Sequence, residues 1–158
     1  MNEELQKLKE EFEQRIRELK DKYKPEGEWP EGGDDYWYII ASGEVSGSFW
    51  AYTMLDKQML EFGNIFKTES EAEFMVEKLK VIKELKQLAR PFKVGSVNHL
   101  IDFDPLDMDF IISSFQVRQS AYGDFYFNTE EEAQQAITII GEDRIKKYLF
   151  GVKEGDSK

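Results

Sequence analysis

Hydrolysis and group transfer need a nucleophile, a base or a metal, and few residues of this chain can supply one. Its 158 residues hold one histidine, His99, and no cysteine. His99 acts as a general base or ligand only where partners surround it. No second His and no Ser-containing motif supports it, so it reads as a residue at a loop-to-strand boundary. Ser42, Ser46 and Ser48 sit in the turn SGEVSG with neither an elbow nor a base. That turn also lacks the Lys and the following helix of a phosphate-binding loop. Asp102, Asp104, Asp107 and Asp109 are spaced loosely like a calcium loop. Counting from Asp102, the sixth position is Asp107 rather than Gly and the twelfth is Ser113 rather than Glu, so the pattern fails. A solvated turn around Pro105 is expected. The expectation is therefore a non-enzymatic protein with no metal and no cofactor.

Residues suited to binding are more numerous. Trp37 and Tyr38 lie in YWYIIA, and Trp50 and Tyr52 in SFWAYTML, two runs that read as paired strands. Such a face can stack a base or anchor a protein; the alternative is plain core. Basic residues concentrate late, at Arg118, Arg144, Lys146 and Lys147. Arg144 and Lys147 lie about one helical turn apart and can receive a phosphate, or simply complement a helix C-terminus. Arg118 and Tyr122 mark where the second half of the chain departs from the first. The candidate binding set is thus Trp37, Tyr38, Trp50, Tyr52, Arg118, Tyr122, Arg144 and Lys147.

Composition bounds the partners. There are 32 acidic and 21 basic residues, a net charge of −11. Nucleic acid is repelled on average, because phosphate binding depends on basic groups that release counterions. The balance suits a solvated surface, a basic protein partner, or imitation of nucleic acid. Absence of cysteine removes disulfides, zinc–cysteine sites and thiol nucleophiles together. The N-terminus lacks the basic start and apolar run of a signal peptide, and no stretch approaches the ~20 apolar residues that span a bilayer. A cytoplasmic protein without membrane contact is expected.

The elements that must position these residues follow from hydrophobic period. Leu5, Leu8, Phe12, Ile16, Leu19 and Tyr23 recur every three or four residues over 1–24. This is a narrow helical stripe with charge elsewhere, expected to be coiled-coil-like and to mediate homo-oligomerisation. PEGEWPEGGDD, at 25–35, is a linker by composition. A domain over 36–152 follows, in two similar halves, 36–90 and 98–152. Each carries a hairpin, a short third strand (NIFK, FYF) and an amphipathic helix. The first helix, about 69–89, has its apolar stripe at Ala72, Met75, Val76, Leu79, Ile82, Leu85 and Leu88. A short helix, EDRIKKYLF, closes the second half. The expected fold is α+β: an N-terminal helix, then two β-β-α units forming one antiparallel sheet with helices on a single face.

The halves share a phrase. Phe66, Thr68, Glu69, Glu71 and Ala72 correspond to Phe127, Thr129, Glu130, Glu132 and Ala133 at a constant offset of 61. Val76 then meets Ile137, and Leu79 meets Ile140. Thr-x-x-Glu is a capping box, the Phe anchors a strand end, and the Ala lets the helix lie close to the sheet.

YWYII, the Gly-bearing turn, FWAY, GNIFKTESEAEF with VEKLKVIKELKQLA, and GEDRIKKYLFGV together resemble small proteins of phages and prophages of Gram-positive bacteria, over roughly Tyr36 to Val152. The resemblance implies no reaction and no catalytic residues. It implies a phage accessory protein acting in a bacterial cytoplasm, by analogy an inhibitor of host defence of the anti-CRISPR or anti-restriction kind. The second reading is a protein that binds or sequesters a nucleotide signal through the aromatic and Arg/Lys side chains.

Overall fold

The computed structural model describes residues 29–116 and 125–153, together with Gln6, Lys7, Lys9, Glu10, Phe12, Gln14, Arg15 and Gly155. Of the N-terminal stripe, Leu5, Leu8, Ile16, Leu19 and Tyr23 lie outside the described residues. Phe12, which is described, is exposed.

The first hairpin pairs β1 (Asp35–Ile39) with β2 (Val45–Phe49) in antiparallel register, Trp37 opposite Gly47 and Tyr38 opposite Ser46. The turn between them closes through Gly43, whose φ of 86° suits glycine. β2 is VSGSF, so it begins earlier than the aromatic run suggests and ends before Trp50. The ring of Trp37 covers Gly47, contacting the space a Cβ would fill. That contact replaces the cross-strand packing which a polar strand lacks.

SFWAYTML is not one strand. It contains the start of α1 (Met54–Phe62). Thr53 caps this helix, accepting from the Asp56 amide, while the Asp56 side chain accepts from the Thr53 amide. Gly63, at φ 77°, ends it in the left-handed conformation, and the Asn64 amide returns to the Met59 carbonyl. Asn64 then clips the chain to β1, its amide group bonding both the N–H and the C=O of Ile39. Phe66 completes the edge by exchanging both backbone hydrogen bonds with Trp37.

α2 (Glu69–Leu88) starts directly afterwards on the Thr68–Glu71 capping box. Its stripe differs from the expected one. Ala72, Val81 and Leu85 are buried, whereas Leu79 and Leu88 are exposed. The helix serves two bodies: it packs against β1 and β2 and also against the closing helices of the second half. No single azimuth describes it.

The second hairpin, β3 (Asn98–Asp104) and β4 (Asp109–Phe115), turns over Pro105–Met108 as the sequence leads one to expect. Phe127 pairs with His99 as Phe66 pairs with Trp37, so the repeated Phe has the same backbone role twice. α3 (Glu130–Ile140) and α4 (Glu142–Tyr148) follow. The second capping box is only half formed. Thr129 accepts from the Glu132 amide, but Glu132 reaches past Thr129 to the Asn128 amide. Ala72 and Ala133 are both fully buried.

Among the described residues the protein is α+β, with four helices and two separate two-stranded antiparallel sheets rather than one. Each hairpin gains only a single bridged residue before a capped helix begins, so neither sheet has the extra strand needed to join the other. The cores are also distinct. Tyr36, Trp50 and Ile65 form one, with Trp29, Tyr38 and Met59 packed around them. Val81, Leu85, Phe127, Ala133, Ala136, Ile137, Ile140 and Ile145 form the larger one. α2 links the two.

Candidate functional site

Where the two bodies meet, a groove of about 750 Å³ opens to solvent. Three elements build it. The hairpin turn brings Gly43, Glu44 and Val45. The first turns of α2 bring Glu69, Ser70, Glu73, Phe74, Val76 and Glu77. The end of α4 brings Lys147 and Tyr148. Phe74 and Tyr148 meet with ring centroids 5.1 Å apart and give it an aromatic floor.

Glu69, Glu73 and Glu77 recur at four-residue intervals, so the α2 side of the groove is a carboxylate ridge. Like charges at i,i+4 cost a helix about 0.2–0.5 kcal/mol per pair. Glu69 offsets part of this at the positive end of the helix dipole. Glu77 is paired with Lys80 and lies 4.0 Å from Arg144. Glu44 accepts from the Ser42 hydroxyl across the hairpin turn. Lys147 stands over the Tyr148 ring at 5.6 Å and is the one cation among the described residues that line the groove.

Of the described residues chosen from sequence, Lys147 alone lines this groove. Trp37 and Tyr38 are half-buried on opposite faces of β1. Trp50 is core, 4% exposed, with its indole N–H lacking an acceptor among the described residues. Tyr52 is exposed beside it, centroids 5.9 Å apart, at φ 58°. Its hydroxyl accepts from the Gly32 amide, where an added Cβ would lie 2.9 Å from the ring. Trp50 and Tyr52 are therefore not cross-strand partners of Trp37 and Tyr38. Arg144 is engaged by Glu84 through two 3.0 Å bonds and donates to the Ile140 carbonyl. The Glu84 bond pushes the guanidinium further up, and the same bond holds the Glu84 carboxyl below its ordinary range. Arg118 and Tyr122 lie outside the described residues. The aromatic set and the basic set thus fall in different places, with Tyr38, Trp50 and Tyr52 clustered around Tyr36 and Arg144 locked between α2 and α4.

Two polar centres were not singled out from sequence. Asp56, 5% exposed, accepts from the Tyr36 hydroxyl at 2.8 Å and from the Ala51 and Thr53 amides. Burial works to raise its pKa, but those hydrogen bonds outweigh it and hold the carboxyl below its ordinary value. Burial, then the Asp56 bond, push the Tyr36 phenol up. Asn98, fully buried, accepts from Arg90 and from the Lys93 amide, and donates to the Lys93, Ser96 and Phe115 carbonyls. Arg90 spans on to Asn128 and to the Val97 and Phe127 carbonyls. Both centres have satisfied partners, as structural clips do. The Asp102–Asp109 turn is likewise internally bonded: Asp104 accepts from the Leu106 amide and Asp102 from the Ser113 hydroxyl. Among the described residues, no three metal-ligating side chains converge, and no helix is long and apolar enough to cross a membrane.

No protein-family model matches the chain, and no curated protein or solved structure matches it.

Proposed function

We propose that this chain is a non-enzymatic interaction protein that holds a basic segment of a partner protein in the groove between the first hairpin, α2 and α4. The observation that carries the reading is the carboxylate ridge Glu69–Glu73–Glu77, faced by Glu44, over the Phe74–Tyr148 floor. A ridge of like charge works against its own helix, and such local conflicts tend to fall at functional sites. An Arg or Lys side chain entering here meets carboxylates at the rim and aromatic faces below, the two surfaces to which a guanidinium binds best. The net charge of −11 steers basic partners and repels nucleic acid. The phage resemblance makes a host or phage protein the partner and blockade of a bacterial defence system the outcome, acting in the host cytoplasm.

The test compares the native chain with Glu44→Lys/Glu73→Lys as bait in a host lysate. Both residues are exposed, so the variant should fold with an unchanged far-ultraviolet spectrum. The expected result is one partner retained by the native chain at low salt, lost in the variant and weakened about tenfold or more by raised salt. Equal retention by both proteins would remove the groove from the function. A partner released by neither salt nor charge reversal would contradict the electrostatic basis.

A further inference from the structure

The acidic groove borders an open strand edge. The outer edge of β1 is closed: Trp37 exchanges both backbone hydrogen bonds with Phe66, and the Asn64 side chain bonds both backbone groups of Ile39. Trp37 and Ile39 therefore turn their N–H and C=O groups away from β2. Their cross-strand neighbours, Gly47 and Val45, are non-hydrogen-bonded partners. The ladder alternates, so Val45, Gly47 and Phe49 aim their own N–H and C=O groups outward, on the side of β2 away from β1. Among the described residues no hydrogen bond occupies these groups. Gly47, Ser48 and Phe49 are exposed.

Nothing in β2 blunts this edge. Natural sheet edges are protected by charge, by proline or by a bulge. β2 is VSGSF, and its register with β1 runs unbroken from Val45 to Phe49. The second hairpin shows the contrast. By the same alternation from the His99–Phe127 bridge, the Phe110 amide of β4 points outward, and there the Asp109 carboxylate takes it at 2.8 Å. The face of the first hairpin is also set. Tyr36 and Tyr38 pack with Trp50, Ile65 and Met59, none of them from α2. α2 packs against both strands, so it lies on the other face, that of Trp37, Val45 and Gly47. Val45, the first residue of the open edge, lines the groove together with Glu44, Glu69 and Glu73.

We infer that the occupant of the groove binds as an extended strand, added antiparallel to the free edge of β2, with Arg or Lys at every second position. This rests on the reading of the groove as a receptor for a basic segment. Residues of the added strand opposite Val45 and Gly47 point to the α2 side of the sheet and recur every ~6.8 Å. Positions four apart on α2 recur every ~6 Å, so successive cations step in near register with successive carboxylates. Backbone pairing supplies affinity and the alternate side chains select the sequence. A helical occupant leaves the outward groups of β2 unmet. A second copy of this chain brings its own net charge of −11 to an acidic site.

The probe is a blocked pentapeptide, acetyl-Arg-Val-Arg-Val-Arg-amide, titrated into the full chain and followed by calorimetry and residue-resolved amide exchange. The amides of Val45, Gly47 and Phe49 should exchange about tenfold more slowly with peptide bound, while Ser46 and Ser48, already bonded to β1, change little. In the antiparallel arrangement the Arg N–H groups face β2 and the Val N–H groups face away. N-methylation of the Arg residues should therefore weaken binding about tenfold or more, and N-methylation of the Val residues by less than about threefold. Binding of the Arg-methylated peptide within twofold of the parent, without slowed exchange at Val45, Gly47 and Phe49, would overturn strand addition, as would no binding at millimolar peptide. If the methylated peptides bind alike and Glu44→Lys/Glu73→Lys still abolishes binding, strand addition falls and the acidic groove stands. Binding that survives the charge reversal, with protection of β2 intact, removes the groove and leaves the edge.

Discussion

Replacing Asn98 should be among the most damaging polar substitutions in the chain, and the cost can be worked from its contacts. The side chain is fully buried and takes part in five hydrogen bonds. Its oxygen serves the Arg90 guanidinium at 2.7 Å and the Lys93 amide at 2.9 Å; its amide nitrogen serves three carbonyls at 2.8–3.2 Å. A neutral bond contributes about 1 kcal/mol net and a charged one about 1.5–3 kcal/mol. These sums overstate the loss, since the Lys93 and Ser96 groups lie near the surface and can find water. The Phe115 carbonyl is less easily rescued, and the Arg90 guanidinium loses one acceptor while keeping Asn128 and the Pro91, Val97 and Phe127 carbonyls. Asn98→Ala should therefore cost about 3–4 kcal/mol, a large share of the roughly 5–15 kcal/mol that a domain has. For a chain of this size, 1 kcal/mol moves the melting midpoint by about 2–4 °C, so a fall of roughly 10 °C is expected. Urea unfolding followed by circular dichroism gives the free energy directly. Asn98→Asp is the informative control. It keeps the acceptor for Arg90 but turns a second oxygen toward three carbonyls, so it should not restore native stability at neutral pH. A loss below about 1 kcal/mol for Asn98→Ala would refute the view that this side chain ties the 90–98 connection to β4.

Two further predictions concern charge. Asp56 has a depressed pKa, so its contribution should be present above its ordinary value of 3.8 and be lost as pH falls through the still lower folded value. Tyr36 has a raised pKa, so its contribution is complete below its ordinary 10.0 and is lost as pH rises through the folded value. Asp56→Asn should flatten the acid limb of a stability–pH profile; an unchanged acid limb would show that the depression is not linked to folding. Arg144→Ala removes two bonds to Glu84 and one to the Ile140 carbonyl. The pair is about a third exposed, so solvent screens it, and a total loss of about 1–2 kcal/mol is expected by urea titration. Because Glu84 is also depressed, that difference from native should shrink at pH values well below its ordinary 4.5; a difference independent of acid would count against the ion pair.

The elements of the second half were legible because their signals do not compete. HLIDF and DFIISSF are apolar, branched and aromatic runs on either side of a Pro-containing turn, and Thr129, Ala133 and Gly141 mark the start, packing face and end of α3. The first half misled for a physical reason. Trp50 and Tyr52 carry strand propensity, but Thr53 and Asp56 form a capping box and Gly63 an αL stop, and local capping outweighed propensity. Those three residues were in plain view as Thr-x-x-Asp with a Gly seven residues on. β2 was hidden for the opposite reason: Val45–Phe49 has little strand character of its own and is held by β1, with Trp37 over Gly47. The groove was illegible as a whole because its walls come from residues 43–45, 69–77 and 147–148, and tertiary contact alone joins them. One of its walls was readable, however. Glu69, Glu73 and Glu77 at i,i+4 spacing are a repulsion that a helix chosen for stability alone would avoid.

The repeat explains why the groove lies where it does. In both halves a Phe pairs with the first strand of a hairpin and a Thr-capped helix leaves directly from it, so each half packs one helix against its own hairpin. α3 has 11 residues and ends on Gly141, close to its own hairpin, which lets α4 turn back over it. α2 has 20 residues and runs on past its hairpin into the second half, where Val81 and Leu85 enter the larger core. The unit is therefore used twice, and among its differences the greater length of α2 joins the halves. Fusion leaves a seam at the start of α2, where the turn of the first hairpin faces the end of α4. The seam is walled by the start of α2, where Ala72 is buried and Phe74 packs on Tyr148, while Glu69 and Glu73 are exposed. In most proteins such positions carry mixed charge; here they carry Glu69, Glu73 and Glu77. Duplicated cores thus account for the cleft, and Glu44 and Glu73 stand exposed outside both cores, which is why Glu44→Lys/Glu73→Lys should leave stability nearly unchanged.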